Sequence, residues 1–83
     1  MTHALIEVKL PASLISYDLS IPVAMQIGEC TKLIASAMET LSKGTYTASP
    51  ESTLCNQITG EIYNPNARVY ETNIRNGTKL YLF

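Results

Sequence analysis

Residues 73–83 read NIRNGTKLYLF, and the rest of the chain must be arranged so that this stretch can be buried on one side. Asn76 and Gly77 are a turn signal, because glycine takes a positive φ without steric cost and asparagine tolerates it. Lys79 to Phe83 then alternates as a strand does, with Leu80 and Leu82 on one face and Tyr81 and Phe83 on the other. Just upstream, residues 67–74 read as a compact connection whose inward anchors are Val69 and Ile74. A strand of this kind needs a sheet to enter.

The start of the chain supplies one. From Ala4 to Leu10 the residues alternate, with Ala4, Ile6, Val8 and Leu10 on one side and Leu5, Glu7 and Lys9 on the other, as in a half-buried strand. Pro11, Ala12 and Ser13 break the pattern. It resumes with Tyr17, Leu19 and Ile21 facing in against Ser16, Asp18 and Ser20, and Pro22 is expected to stop the ladder because it has no N–H to donate. The two runs form a hairpin.

Beyond Pro22 the period lengthens to three and four. Ile27, Cys30, Ile34, Ala37, Met38 and Leu41 make one apolar stripe, with Glu29, Lys32, Ser36, Glu39 and Lys43 on the remaining surface, which predicts an amphipathic helix of about four turns. Lys43 suits its negative pole, and Gly44 is expected to take the left-handed conformation after the last turn. No Ser, Thr, Asp or Asn directly precedes Ile27, so Gln26, water or a neighbouring loop must satisfy the first turn.

Thr45 to Ser52 reads as a loop, Leu54 to Ile58 as a third strand, Thr59-Gly60 as a tight turn and Glu61 to Tyr63 as a short fourth strand, closed by the Asn64-Pro65-Asn66 turn. A helix that follows a hairpin buries its stripe on the sheet. Right-handed crossover rules then place the final strand parallel to the first, in the middle of the sheet. The expectation is an α+β, β-grasp fold with a mixed sheet of four to five strands on one main helix, in a single domain over residues 1–83.

Composition narrows the function classes. Hydrophobic residues make up 46% of the chain and charged residues 16%, enough apolar surface for one self-folding core. The formal net charge is -1 and the six bases (Lys9, Lys32, Lys43, Arg68, Arg75, Lys79) are scattered, which argues against nucleic acid as a partner. Cys30 and Cys55 form no CxxC pair and have only His3 to join them, too few ligands for a closed zinc site, so no metal or other cofactor is expected. Their spacing leaves a disulfide open, but without a secretory leader two buried free thiols are the preferred reading. The first residues lack a basic-then-apolar leader, and no run approaches the roughly 18 apolar residues of a membrane span, so the expected compartment is the cytosol.

The stretch ARVYETNIRNGTKLYLF (residues 67–83) resembles the end of ubiquitin-like domains through Val69, Asn73, Ile74, Asn76, Gly77, Leu80 and Leu82. YDLSIPVAMQIGECTKLIASAM (residues 17–38) is similar more narrowly to the small ubiquitin-like proteins of bacterial type VII secretion loci, the YukD/EsaB family, with its Tyr-Asp-Leu strand, proline and Ile-led helix. The resemblance spans nearly the whole chain and rests mainly on apolar positions that determine the fold. It implies a non-enzymatic accessory or regulatory role, exercised through contacts with proteins of the secretion machinery. The loop from Thr45 to Ser52 and the Thr59-Gly60 turn carry no family motif.

No arrangement of residues suggests catalysis. His3 is expected to lie where the chain frays, and no GxSxG, HExxH or glycine-rich phosphate loop occurs. Glu29 and Glu39, with Lys32 and Lys43 at helical spacing, read as a solvated face. Asn76-Gly77-Thr78 matches a glycosylation acceptor but is read as a turn. Ubiquitin-like modifiers and sulfur carriers resemble this fold and react through a C-terminal Gly-Gly; Leu82-Phe83 stands there instead, which disfavours conjugation unless residues have been removed. The remaining candidate is a partner-binding patch of Leu5, Tyr81 and Phe83 on the outward face of the sheet, with a second copy of the chain as an alternative occupant. The alternative function is a ubiquitin-like subunit of another assembly such as an oxygenase.

Overall fold

A computed structural model describes residues 2–11, 16–43 and 46–83. Strand β1 (His3–Lys9) and strand β2 (Ser16–Pro22) form the antiparallel hairpin, helix α1 (Ile27–Leu41) follows, then strand β3 (Leu54–Asn56), a 3-10 turn (Val69–Glu71) and strand β4 (Lys79–Leu82). The sheet order is β2-β1-β4-β3, with β4 parallel to β1 and antiparallel to β3. The last strand is thus central and parallel to the first, as the crossover rules placed it. Of the predicted break after Leu10, Pro11 is described, while Ala12 and Ser13 lie outside the described residues, as do Gly44 and Thr45.

The inward faces are those read from the sequence. Ala4, Ile6, Val8 and Leu10 of the first run and Leu80 and Leu82 of β4 are buried, together with Val69 and Ile74. His3 is the first residue of β1, paired opposite Pro22, rather than part of a frayed end. Val23 N–H donates to Thr2 C=O at 3.0 Å, one step beyond the His3–Pro22 pair. Bonded pairs in an antiparallel ladder alternate, so Pro22 falls at a position whose N–H would point away from β1. The proline is therefore the last residue of β2, as expected, but it costs no ladder bond.

The helix is rotated slightly from the predicted stripe. Ile27, Cys30, Ile34 and Met38 are buried as expected, but Thr31 and Ala35 are buried too, Ala37 is half-buried and Leu41 is exposed. Thr31 tolerates burial because its hydroxyl donates to Ile27 C=O at 2.7 Å. A neighbouring loop caps the first turn: Ile27 N–H donates to Ala67 C=O at 2.8 Å and Gly28 N–H to Pro65 C=O at 2.9 Å. The approach is close enough that a Cβ on Gly28 would lie 3.2 Å from that Pro65 oxygen. At the other end Lys43 takes the left-handed conformation predicted for Gly44, with φ of 54°.

The region between β3 and β4 departs most from the sequence reading. β3 ends at Asn56 rather than Ile58, because the Asn56 Oδ1 accepts the N–H groups of Ile58 (2.8 Å) and Thr59 (3.0 Å) and turns the chain. The predicted strand Glu61 to Tyr63 is reduced to one bridge, Cys55 to Ile62, so the sheet has four strands. Tyr63 is buried in a polar network: it donates to Asn73 Oδ1 at 2.7 Å and accepts from Asn56 Nδ2 at 3.0 Å. Its phenol is pushed above the ordinary value, chiefly by burial.

Candidate functional site

The sheet face turned away from α1 carries Leu5, Glu7 and Lys9 from β1, Asp18 and Ser20 from β2, Lys79 and Tyr81 from β4, and Cys55 from β3. Tyr81 lies opposite Lys9 on one side and Cys55 on the other. It is half-buried, and its ring meets Phe83 edge to face, with centroids 6.0 Å apart and planes at 60°. Phe83 is 58% exposed, and its backbone is held on the sheet by two hydrogen bonds with Thr53, at 2.9 and 3.1 Å. The two aromatics form one cluster.

Leu5 does not join them. It is 54% exposed on the same face, but the register sets Glu7 opposite Lys79 and Lys9 opposite Tyr81, so Leu5 stands four residues from the Tyr81 row, about 13 Å along the strand. Its surroundings are the 76–77 turn: Leu5 N–H donates to Asn76 Oδ1 and Leu5 C=O accepts from Gly77 N–H, both at 2.8 Å. Asn76, the acceptor position of the glycosylation triplet, is thereby used to join the turn to β1. Gly77 has a φ of 87°, which explains the glycine there.

Both cysteines are free thiols, but only Cys30 is buried; Cys55 is half-buried on the outer face, because β3 lies at the sheet edge. Burial, and secondarily the Glu29 carboxylate, push the Cys30 thiol up to about 11, so it stays protonated and inert at neutral pH. Glu29 and Glu39 are exposed, as their spacing predicted. Glu39 also ties the following loop to the helix, because its Oε1 accepts the Ala48 N–H at 2.8 Å.

An open cleft of about 630 Å³ lies between the first half of α1 and the loops around Pro50 and Pro65, with Glu29, Lys32 and Glu51 at its rim. Among the described residues no three His, Cys, Asp or Glu side chains come together in a way that could hold a metal ion, and no helix is long and apolar enough to cross a membrane. The sequence reading overlooked several exposed apolar side chains. Ile58 and Ile62 flank the Gly60 turn, and Leu33 stands on α1 beside β2, where the four-residue steps from Leu33 to Ala37 and from Ala37 to Leu41 were the available signal.

The sequence matches no protein-family model and no curated protein. Its fold does have counterparts among solved structures. The ubiquitin-like domain of the Mycobacterium tuberculosis type VII secretion system protein EccD1 superposes with a TM-score of 0.78 at 12% identity, covering 99% of this chain and 98% of that one. A chain of the toluene 4-monooxygenase HD complex with the inhibitor 4-bromobenzoate gives 0.77 at 4% identity, covering 96% and 95%. The EccD5 ubiquitin-like domain from Mycobacterium xenopi gives 0.67 at 15% identity, covering 98% and 92%. The chain has a ubiquitin-like fold, a four-strand mixed sheet packed against one helix.

Proposed function

We propose that this chain is a non-enzymatic, cytoplasmic ubiquitin-like component of bacterial type VII secretion, accessory or regulatory, acting by contact with proteins of that machinery. The observation that carries this is the end-to-end correspondence with two EccD domains, in which nearly all of each chain is accounted for. The contact surface is the Tyr81–Phe83 cluster, with Leu5 as an outlying apolar point on the same face. Paired aromatics with one exposed member suit a protein interface, where apolar area and rigid rings contribute most.

A second reading, a small subunit of an oxygenase-type assembly, is favoured by the toluene 4-monooxygenase chain, which corresponds to this one over nearly the full length of both. Conjugation as a modifier ranks third. Leu82 is buried and Phe83 is paired with Thr53, so these two residues belong to the sheet and are not themselves a free reactive tail.

The test is affinity purification from the native cell with the unaltered chain and the double variant Tyr81→Ser/Phe83→Ser. The unaltered chain should recover secretion-system proteins and the variant should lose them. The variant forfeits the edge-to-face contact, worth about 1 kcal/mol, together with the buried area of the half-buried Tyr81, so circular dichroism confirms that it is folded before its recovery is compared. Recovery of diiron hydroxylase subunits would move the assignment to the second reading, and undiminished recovery by the folded variant would remove the aromatic pair from the interface. A covalent adduct through Phe83 in the intact mass would reinstate conjugation.

A further inference from the structure

The hydrogen-bond phase of the hairpin leaves the outer edge of β2 open. Continuing from the Thr2–Val23 bond, the bonded pairs are Ala4–Ile21, Ile6–Leu19 and Val8–Tyr17, so the N–H and C=O of Asp18 and Ser20 point away from β1. The other strand agrees with this phase, since Leu5 and Glu7 donate away from β2, to Asn76 Oδ1 and to Thr78 C=O. β2 is the edge of the sheet, and Asp18 and Ser20 are exposed. Those outward backbone groups have no partner among the described residues, and only another extended backbone matches their spacing.

Beside that edge runs an apolar groove of about 200 Å³ between β2 and α1, lined by Leu19, Ile21, Leu33, Ile34 and Ala37. Leu33 is 57% exposed, and Leu33, Ala37 and Leu41 recur every fourth residue along this side of the helix. The Tyr17 hydroxyl, donating to Leu41 C=O at 3.3 Å, holds the helix against the strand. A strand added at the edge would direct alternate side chains into this groove.

Charge selects the occupant. Across the outer face the row reads Asp18, Glu7, Lys79. Glu7 has Lys79 as its neighbour, whereas among the described residues Asp18 has Glu7 as its cross-strand partner and no strand on its other side. A second copy paired antiparallel about Asp18 would set two carboxylates opposite one another, which is destabilising, and pairing about Leu19 or Ser20 would set Asp18 opposite a neutral residue and leave it without a cation. A basic residue is the complement.

We propose that the β2 edge accepts an extended segment of another protein with the pattern apolar, basic, apolar. Its backbone bonds to Asp18 and Ser20, its Lys or Arg lies beside the Asp18 carboxylate, and its flanking apolar side chains enter the groove over Leu33 and Ala37. The edge and the groove lie apart from the Tyr81–Phe83 cluster, although Asp18 stands on the same sheet face, and the proposal does not depend on the secretion assignment.

The test is titration of the 15N-labelled chain with a terminally blocked Thr-Val-Lys-Val-Thr peptide. The Asp18 and Ser20 amides and the Leu33 methyls should shift together. Replacing the peptide lysine with glutamate should weaken binding roughly tenfold, and Asp18→Lys should reverse that preference. Leu33→Asp, checked for folding by circular dichroism, should lose the lysine peptide. Absence of shifts at Asp18 and Ser20 at millimolar peptide would overturn the proposal. So would equal binding of the two peptides, shifts confined to Tyr81 and Phe83, or the same shifts produced by self-association without peptide.

Discussion

Replacing Tyr63 with phenylalanine tests the polar network that stands where a fourth strand was expected. The change leaves the ring and removes only the hydroxyl, which donates to Asn73 and accepts from Asn56. Asn73 is exposed and water can replace the lost donor, so that bond contributes little. Asn56 is buried, and its Nδ2 would lose the Tyr63 oxygen in a position that water reaches poorly. An unsatisfied buried amide costs about 1–3 kcal/mol, and the same side chain bends the chain at Ile58 and Thr59. The expected loss for Tyr63→Phe is therefore about 2 kcal/mol, or a fall in Tm of about 8–16 °C in a domain of this size. Urea unfolding at neutral pH measures it, with an unchanged m-value as the check that only stability has moved. Asn73→Ala is the control and should cost under about 1 kcal/mol. If Tyr63→Phe came within about 0.5 kcal/mol of the parent, below the range for a stranded buried amide, the hydroxyl would not be sustaining Asn56 and this account of the network would fall.

Two further outcomes follow from the helix. The Cys30 thiol ionises at about 11 when folded against the ordinary 9.0, so the folded chain keeps a proton that the unfolded chain loses. Stability should be unaffected by this group below pH 9.0 and should fall as pH rises from there to about 11, by roughly 2–3 kcal/mol. Cys30→Ala should be less stable at neutral pH yet lack that component of the alkaline slope, and identical slopes in paired denaturation curves would count against it. Lys43→Gly relieves a left-handed lysine at the helix end, worth about 1 kcal/mol, and should raise Tm by about 4–8 °C; an unchanged or lower Tm by scanning calorimetry would show that φ carries no strain.

Elements whose burial is periodic could be read from the chain before any contact between them was known. Alternation in Ala4 to Leu10 and Lys79 to Leu82, and the three-to-four spacing from Ile27 to Met38, each specify one buried face, and a face of that kind can be satisfied by few arrangements. Hairpin, helix, central parallel strand and the inward anchors Val69 and Ile74 were legible for that reason, as were the two outward aromatics.

Features that depend on register and on partners distant in sequence emerged only with the folded arrangement. Leu5 and Tyr81 share a face by alternation alone, but the offset between β1 and β4 keeps them apart. The helix N-terminus is capped by carbonyls of residues 65 and 67, which no local motif announces. The strand predicted at Glu61 to Tyr63 yields to the side-chain bonds of Asn56, and the open edge of β2 follows from a hydrogen-bond phase that hydrophobic patterning does not encode. Periodicity records which side of an element is buried, whereas hydrogen-bond phase and strand offset are set only when elements far apart in the chain meet.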